Sequence, residues 1–293
     1  MKEIVFLVPG YEGGAYSSIV DSHIRPVMAC LPPTRIVEER VEGALNVSCF
    51  TVNKGDVFLY HGLSDKGLRN ASSVWHYKYV LVPGPAWYDK MIEQGMPKEK
   101  LFTIGYPSLD SQFTESGELT HDASYDGSLV WAPTHTNGFT SYPQLGDVLA
   151  EIEHKLPFTK IEVRPHPFNA PANFTTTEEL AHASVVIADM GSTIYESWAM
   201  GKPVVFPDWI IKTKGGLSIH SLPKDIFEHE IYANNVGRHV QRQGDFVDAL
   251  LEAHDCGITK EETEFIDRIL PPEYRGRSAQ MTADLLLDLA KEA

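Results

Sequence analysis

The chain has little cysteine, no long apolar run and too few basic residues to balance its acidic ones. Its 293 residues include three widely spaced cysteines, Cys30, Cys49 and Cys256. Such sparse thiols argue against a disulfide framework and against a zinc knuckle. No stretch reaches the ~18 apolar residues of a membrane-spanning helix. The N-terminal KEIVFLVPG is short and strand-like rather than a signal peptide, so we predict a cytoplasmic protein.

The shortage of positive charge bears on the kind of partner. There are 25 Lys+Arg against 40 Asp+Glu, a formal net charge of −15 at pH 7. Such a surface repels nucleic acid and anionic membranes on average. A phosphate-bearing ligand would therefore need a local group of hydrogen-bond donors or cations.

Short apolar runs alternate with helix-length stretches, a pattern that indicates α/β layering. IVFLV and the VVIA within SVVIAD are continuous apolar runs, which favours parallel sheets covered on both faces. The predicted strands are Glu3–Val8, Asp56–Tyr60, Tyr79–Val82, Leu101–Ile104, Leu129–Ala132, Lys160–Arg164, Ser184–Ala188 and Pro203–Phe206.

A polar segment, Thr114–Gly127, divides these strands into two groups. We predict an N-terminal domain at 1–118 and a C-terminal domain at 119–275. Residues 276–293 form an amphipathic helix that could pack back on the N-terminal domain. Its apolar side is expected to hold Met281, Leu285, Leu286 and Leu289.

Ligands of parallel sheets bind at the carboxyl ends of the strands, so the residues there are candidates. In the first half, Gly13 and Gly14 form either a ligand-side loop or a plain turn. His61 follows the second strand and could take a proton from a hydroxyl. Asp65 could orient His61 or cap a helix, and Lys66 could meet a phosphate.

The strand ends of the second half are richer in polar groups. WAPTHTNG contains Pro133 and Thr134, and its backbone N–H groups could bind phosphate. RPHPF holds Arg164 and His166 between prolines, and arginine is a natural phosphate ligand. The turn GYPSLD, Gly105–Asp110, is interpreted as a rigid connection.

The segment ADMGSTIYE has two interpretations. Ser192 or Thr193 could be the N-cap, with Glu196 three residues after Thr193 in a capping box. The same free N–H groups could instead hold phosphate, with Glu196 accepting from ribose hydroxyls.

In this order, HGLSDKG, GYPSLD, WAPTHTNG, VRPHPF and ADMGSTIYESWAMGKPVVFP resemble motifs of the CDP-glycerol glycerophosphotransferases of teichoic acid synthesis. The resemblance implies a GT-B-type fold, in which two Rossmann-like domains with parallel sheets face a central cleft. The family more often has HGTPLK where this chain has HGLSDK. It often has Trp-Arg after Ala-Pro-Thr, where this chain has no arginine. Members of the family often carry basic, membrane-binding segments, so the strong acidity of this chain is a further departure. All three departures concern the lipid-linked polymer acceptor of the family.

Carried over to this sequence, the resemblance assigns His61 as the base that activates the acceptor hydroxyl. It assigns the binding of the donor phosphates to Arg164, His166, Ser192 and Thr193. The remaining assignments are Glu196, Pro133 and Thr134 for the ribose or nucleotide, and Gly13, Gly14, Asp65 and Lys66 for the acceptor side.

The expected function is transfer of a glycosyl or glycerophosphoryl group from a nucleotide-diphosphate donor to a hydroxyl acceptor. No Asp-x-Asp stands at a predicted strand end, so no obligatory metal and no cofactor are expected. Alternatives are a bacteriophage-type glycosyltransferase of hydroxymethylated DNA bases, in which nucleic acid would be a partner, a UDP-sugar 2-epimerase, and a nucleotide-binding module without turnover. The aromatic residues available to stack on a base or sugar are Trp75, Tyr77, Tyr79, Trp87 and Tyr88.

Overall fold

The structure is a computed structural model. It describes residues 1–12, 16–51, 55–65, 71–120, 127–134, 139–166, 177–211 and 222–292. The chain forms two compact units, each with its own parallel sheet. The first comprises Met1–Leu63, Asn70–Thr120 and Arg268–Ala293, and the second comprises Ser64–Arg69 and His121–Asp267. The stretch 268–275 thus joins the first unit, whereas the sequence-based division assigned it to the C-terminal domain.

The sheet of the first unit has six strands in the order β2-β1-β3-β4-β5-β6, all parallel. Their bounds are β1 (Ile4–Leu7), β2 (Arg35–Val37), β3 (Leu45–Ser48), β4 (Val57–Leu59), β5 (Tyr79–Val82) and β6 (Leu101–Thr103). The four strands predicted here are confirmed to within one residue at each end. Strands β2 and β3 were not predicted from the sequence.

The sheet of the second unit has five parallel strands in the order β11-β10-β9-β7-β8. Their bounds are β7 (Ser128–Ala132), β8 (Lys160–Val163), β9 (Ala183–Ala188), β10 (Val204–Phe206) and β11 (Arg238–His239). Four of these were predicted. The short β11 was not, because two residues are too few to show a period.

In the second unit an α-helix lies between each pair of consecutive strands, whereas in the described part of the first unit α-helices join only β1 to β2 and β5 to β6. The α-helices are α1 (Ser17–Ile19), α2 (Arg25–Ala29), α3 (Pro85–Glu93), α4 (Leu145–Ile152), α5 (Thr177–His182), α6 (Ser192–Ala199), α7 (Phe227–Ala233), α8 (Phe246–Cys256), α9 (Lys260–Ile269) and α10 (Ser278–Glu292). A π-helical turn, Val20–Ile24, joins α1 to α2.

The last helix, α10, belongs to the core of the first unit and packs against α2 and β1. Its buried face differs from the predicted one. Leu286 and Leu289 are buried as expected, but Met281 and Leu285 are only partly buried. Small residues, including Ala279, Ala283 and Thr282, fill the rest of that face, since they let the helix approach its neighbours closely.

Each sheet carries its own apolar core, formed by strand residues that are almost wholly shielded from solvent. No helix in the described ranges has the length and apolar character needed to cross a membrane.

Candidate functional site

In the first unit, the order of the strands brings the carboxyl ends of β1, β3 and β4 side by side. His61 lies two residues beyond the end of β4, and Phe50 lies beyond the end of β3. Their ring centroids are 5.4 Å apart. The Nδ1 atom of His61 is shielded from solvent and makes no hydrogen bond of good geometry in the described part of the chain. The predicted base therefore lies at the expected edge of the sheet, within an aromatic environment.

This environment shifts the proton equilibrium of His61. Burial lowers the pKa of the imidazole below its ordinary value, and a hydrogen bond with the backbone of Cys49 acts in the opposite direction with a smaller effect. The neutral form is thus favoured at neutral pH. Only the neutral form has a lone pair that can accept a proton from a hydroxyl.

A second histidine, His23, lies in the π-helical turn of the same unit and was missed by the sequence analysis. Its side chain is buried, and its Nδ1 is 2.9 Å from Oγ of Ser108. Burial, and next the charge of His61, lower the pKa of His23 from 6.5 to about 3. The only sequence feature that could have marked it is its position in a largely apolar stretch after β1.

The GYPSLD turn supplies the surroundings of both histidines. Tyr106 donates a hydrogen bond from Oη to the backbone oxygen of His61 at 3.3 Å, and its ring centroid is 5.3 Å from that of His23. Gly105 has a φ of +83°, and a Cβ there would lie 2.1 Å from Oγ of Ser278. The turn therefore does more than connect: it places Tyr106 and Ser108 against the two histidines.

The other acceptor-side candidates are placed less favourably. Gly13, Gly14 and Lys66 lie outside the described residues. Asp65 is fully buried within the second unit, and its carboxylate accepts a hydrogen bond from the backbone N–H of Phe227 at 3.0 Å. A carboxylate at a helix start satisfies a free N–H group. Of the two roles considered for Asp65, the structure shows the one at a helix terminus, that of α7.

In the second unit, β7 lies between β8 and β9, so the candidate donor residues come from three adjacent strand ends. The backbone N–H of His166, after β8, donates to the backbone oxygen of Pro133, after β7, at 3.2 Å. The N–H of Thr134 donates to Asp189 Oδ1, after β9, at 3.2 Å. The three loops are thus tied together by hydrogen bonds.

Asp189 organises this edge and was not among the candidate residues predicted from the sequence. Its carboxylate is fully buried. It accepts from the N–H of Thr134 and from both the N–H and the hydroxyl of Ser141. Nε1 of Trp131 donates to the same hydroxyl at 2.9 Å. The available clue was the position of Asp189 directly after the apolar run Val185–Ala188.

The start of α6 differs from the predicted capping box. Gly191 is the N-cap, with a φ of 112°, and no side chain caps the helix. Since the glycine turns the chain one residue earlier than expected, Ser192 and Thr193 are already inside the first turn, and the box between Thr193 and Glu196 is not formed. Ser192, Thr193 and Glu196 are each partly exposed.

Arg164 is bound by two carboxylates of its own unit. Its Nε lies 2.6 Å from Oε1 of Glu179, and a terminal nitrogen lies 2.5 Å from Oε2 of Glu162. The side chain is 21% exposed. Its guanidinium therefore stabilises the end of β8, and these two carboxylates would compete with phosphate for it.

Carboxylates also surround the buried side of α6. Tyr195 is fully buried, and burial, then the charges of Glu228 and Asp65, raise its pKa well above the ordinary value. Glu228 accepts a hydrogen bond from the hydroxyl of Ser64. No group of three or more His, Cys, Asp or Glu in the described ranges is arranged to hold a metal ion.

Two parallel α/β sheets with these strand-end loops define the class: the fold is of the GT-B type. A structure of the wall teichoic acid polymerase TagF, a variant soaked with CDPG, matches with a TM-score of 0.61 and 15% identity, over 99% of this chain and 90% of that chain. The resemblance inferred from the motifs is thereby confirmed at the level of the fold.

Two further solved structures share the fold. MnaA from S. aureus, in complex with UDP, has a TM-score of 0.53 at 10% identity, over 96% of this chain and 94% of that chain. A Listeria monocytogenes structure assigned as a UDP-N-acetylglucosamine 2-epimerase has a TM-score of 0.51 at 12% identity, over 100% and 98%. No protein-family model and no curated protein sequence matches the chain.

Proposed function

We propose that the chain is a transferase that moves a glycosyl or glycerophosphoryl group from a nucleotide-diphosphate donor to an acceptor hydroxyl. The observation that carries the proposal is the environment of His61. Its imidazole lies at a strand end of a GT-B-type fold and is kept neutral by burial. A neutral imidazole is the form needed to deprotonate a hydroxyl.

In the proposed step, the acceptor oxygen forms a bond to the anomeric carbon or the phosphorus of the transferred group. The bond from that atom to the leaving nucleotide breaks, and the nucleotide departs with the electron pair. The proton of the acceptor hydroxyl passes to His61. Protonation of a buried imidazole costs desolvation energy, so we expect the proton to be released quickly to solvent or product.

On the donor side, the proposal assigns phosphate binding to the first turn of α6 and to the neighbouring loops. Backbone N–H groups at a helix start attract anions. Ser192 and Thr193 are partly exposed there, and His166 and Thr134 come from the adjoining strand ends. Fixed donors of this kind stabilise the charge that develops on a leaving nucleotide. Glu196 is assigned to the ribose hydroxyls.

The names of the structural neighbours support a nucleotide-activated donor, since one was soaked with CDPG and another holds UDP. A UDP-sugar 2-epimerase is the second candidate, because the Listeria structure has a similar fold. Product analysis without any acceptor separates the two, since only an epimerase would turn over a donor into its isomer.

The first experiment is a thermal-shift screen of the full chain with CDP-glycerol, UDP-glucose, UDP-GlcNAc, GDP-mannose and the free nucleotides. A ligand that binds the folded state raises the melting temperature by mass action. We expect a shift with one nucleotide family, and its loss in a Ser192→Ala/Thr193→Val double variant. The absence of a shift with every compound would contradict the proposal.

With the donor known, His61→Ala is expected to lower kcat about 10²–10⁴-fold, the usual contribution of a general base. Donor binding, measured by the same thermal shift, should be retained. His154→Ala, at an exposed histidine, is the matched control and should leave both unchanged. Near-normal turnover of His61→Ala would show that His61 is not the base.

A further inference from the structure

The buried histidine of the first unit, His23, takes no part in the proposed transfer step. It has a hydrogen bond to Ser108 through Nδ1. Its Nε2 is buried and makes no hydrogen bond of good geometry among the described residues, and a looser hydrogen bond with the backbone of Tyr60 acts to raise the pKa of His23. Burying a polar nitrogen without a well-formed hydrogen bond costs free energy, so an ordinary packing role would be better served by an apolar side chain.

Tyr106 connects His23 to His61. Its ring packs against the ring of His23, and its hydroxyl donates to the backbone oxygen of His61. Tyr106 is itself fixed, because its N–H donates to Oγ of Ser278 at 2.8 Å. A displacement of His23 would therefore shift the Tyr106 ring, and through its hydroxyl the backbone at His61.

We propose that His23 is a positioning residue for His61: with Tyr106 it fixes the chain at the end of β4 and shields the His61 ring from water. This inference rests on the proposed function only where it calls His61 a base. The GYPSLD turn, which supplies Tyr106 and Ser108, is then part of the acceptor-side machinery.

The order in which the two histidines take up protons agrees with a positioning role for His23. Two imidazolium ions side by side repel, so a coupled pair takes up its first proton at the less buried member. The charge of His61 lowers the pKa of His23, which therefore stays neutral when His61 is protonated. Among the described residues, the other titratable groups that meet the pair through side chain or backbone include Cys49, Tyr60 and Tyr106.

The test is an NMR titration of the histidine side chains in the full chain, comparing wild type with His23→Asn and Tyr106→Phe. His23→Asn removes the imidazole and admits water, so the His61 midpoint should move upward by at least half a pH unit, about a threefold change in proton affinity. Tyr106→Phe keeps the ring and loses one hydrogen bond, so its shift should be smaller and in the same direction. His154→Asn, the matched control, should leave His61 unchanged.

An unchanged His61 midpoint in both folded variants overturns the proposal. Should His23→Asn not fold, Ser108→Ala takes its place, because it frees the His23 ring without removing it. A shifted midpoint in a protein that binds no donor would contradict the transferase assignment alone. Where turnover is found, the acid limb of the pH–rate profile should shift upward in His23→Asn, with KM little changed.

Discussion

The two units place opposite environments at equivalent edges of their sheets. In the first, the strand ends carry two histidines among aromatic rings, and burial keeps both imidazoles neutral. In the second, they carry a buried carboxylate, Asp189, whose hydrogen bonds tie the neighbouring loops together. One edge is suited to accepting a proton, and the other to holding backbone donors in fixed directions. A shared sheet architecture thus supports two chemistries through the residues that follow its strands.

The comparison predicts that acid destabilises the first unit through His23, the largest effect expected here. The folded protein holds His23 neutral down to about pH 3, whereas the unfolded chain protonates it below about 6.5. The part of the free energy of unfolding that depends on the protonation of His23 is therefore fully present above pH 6.5 and is lost as the pH falls toward 3. At ~1.4 kcal/mol per pKa unit, the upper limit is on the order of 5 kcal/mol.

Urea unfolding at pH 7.5, 5.5 and 4.5 measures this effect. His23→Asn should lose less stability in acid than the wild type, and His154→Asn should behave as the wild type does. Equal pH slopes for wild type and His23→Asn would show that His23 is not the origin of the acid sensitivity.

The corresponding change in the second unit is Asp189→Asn. It presents an amide NH₂ to groups that now donate to a carboxylate, so buried donors lose their acceptor. We expect a loss of about 3 kcal/mol in the free energy of unfolding. Asp245→Asn, at an exposed ion pair, is the control and should cost less than about 1 kcal/mol. A loss of similar size in the two variants would refute the organising role of Asp189.

A pair of glycines with positive φ sharpens the comparison at the level of the backbone. Gly105 has a φ of +83° and no room for a Cβ beside Ser278, whereas Gly257 has a φ of +67° and open space around it. Gly257→Ala should cost about 1–3 kcal/mol from backbone strain alone, because its ψ of −155° lies in a region that is essentially restricted to glycine. Gly105→Ala should cost roughly 1–3 kcal/mol more from overpacking. Denaturant midpoints of the two variants measure the difference, and equal losses would count against the close contact.

The smallest expected effect is that of Glu179→Gln, which releases one partner of the partly exposed Arg164. Stability should change by less than about 1 kcal/mol. If Arg164 binds donor phosphate, this variant should keep or enlarge the donor-induced thermal shift, and Arg164→Ala should lose it. A full donor-induced thermal shift in Arg164→Ala would show that Arg164 does not bind the donor and that its role is the structural one of its ion pairs.

The pattern of apolar runs predicted most strands and failed where polar side chains are buried. In β3 the buried residues include Asn46 and Ser48, which break the apolar pattern. The side chain of Asn46 is hydrogen-bonded to Asp56 and to the backbone of Val41, so its burial depends on partners that the pattern does not reveal. The edge strand β2 is short and partly exposed, which removes the apolar signal altogether.

The candidate residues divide in the same way. Thr134, Ser192 and His61 could be located from the sequence because each follows an apolar strand or its turn. The importance of Asp189 and His23 could not be predicted in this way, even though Asp189 also follows a strand, since it comes from contacts with residues 55 and 85 positions away, Thr134 and Ser108 respectively.

The sequence by itself determined the class of fold, because alternating apolar strands and helical stretches admit few other arrangements. It also determined which strand ends carry polar residues. Only the tertiary structure decided that His23 and His61 are neutral, that Arg164 is paired with carboxylates and that α6 begins at Ser192. Protonation and pairing depend on burial and on neighbours brought together by folding, and neither quantity is present in a linear pattern of residues.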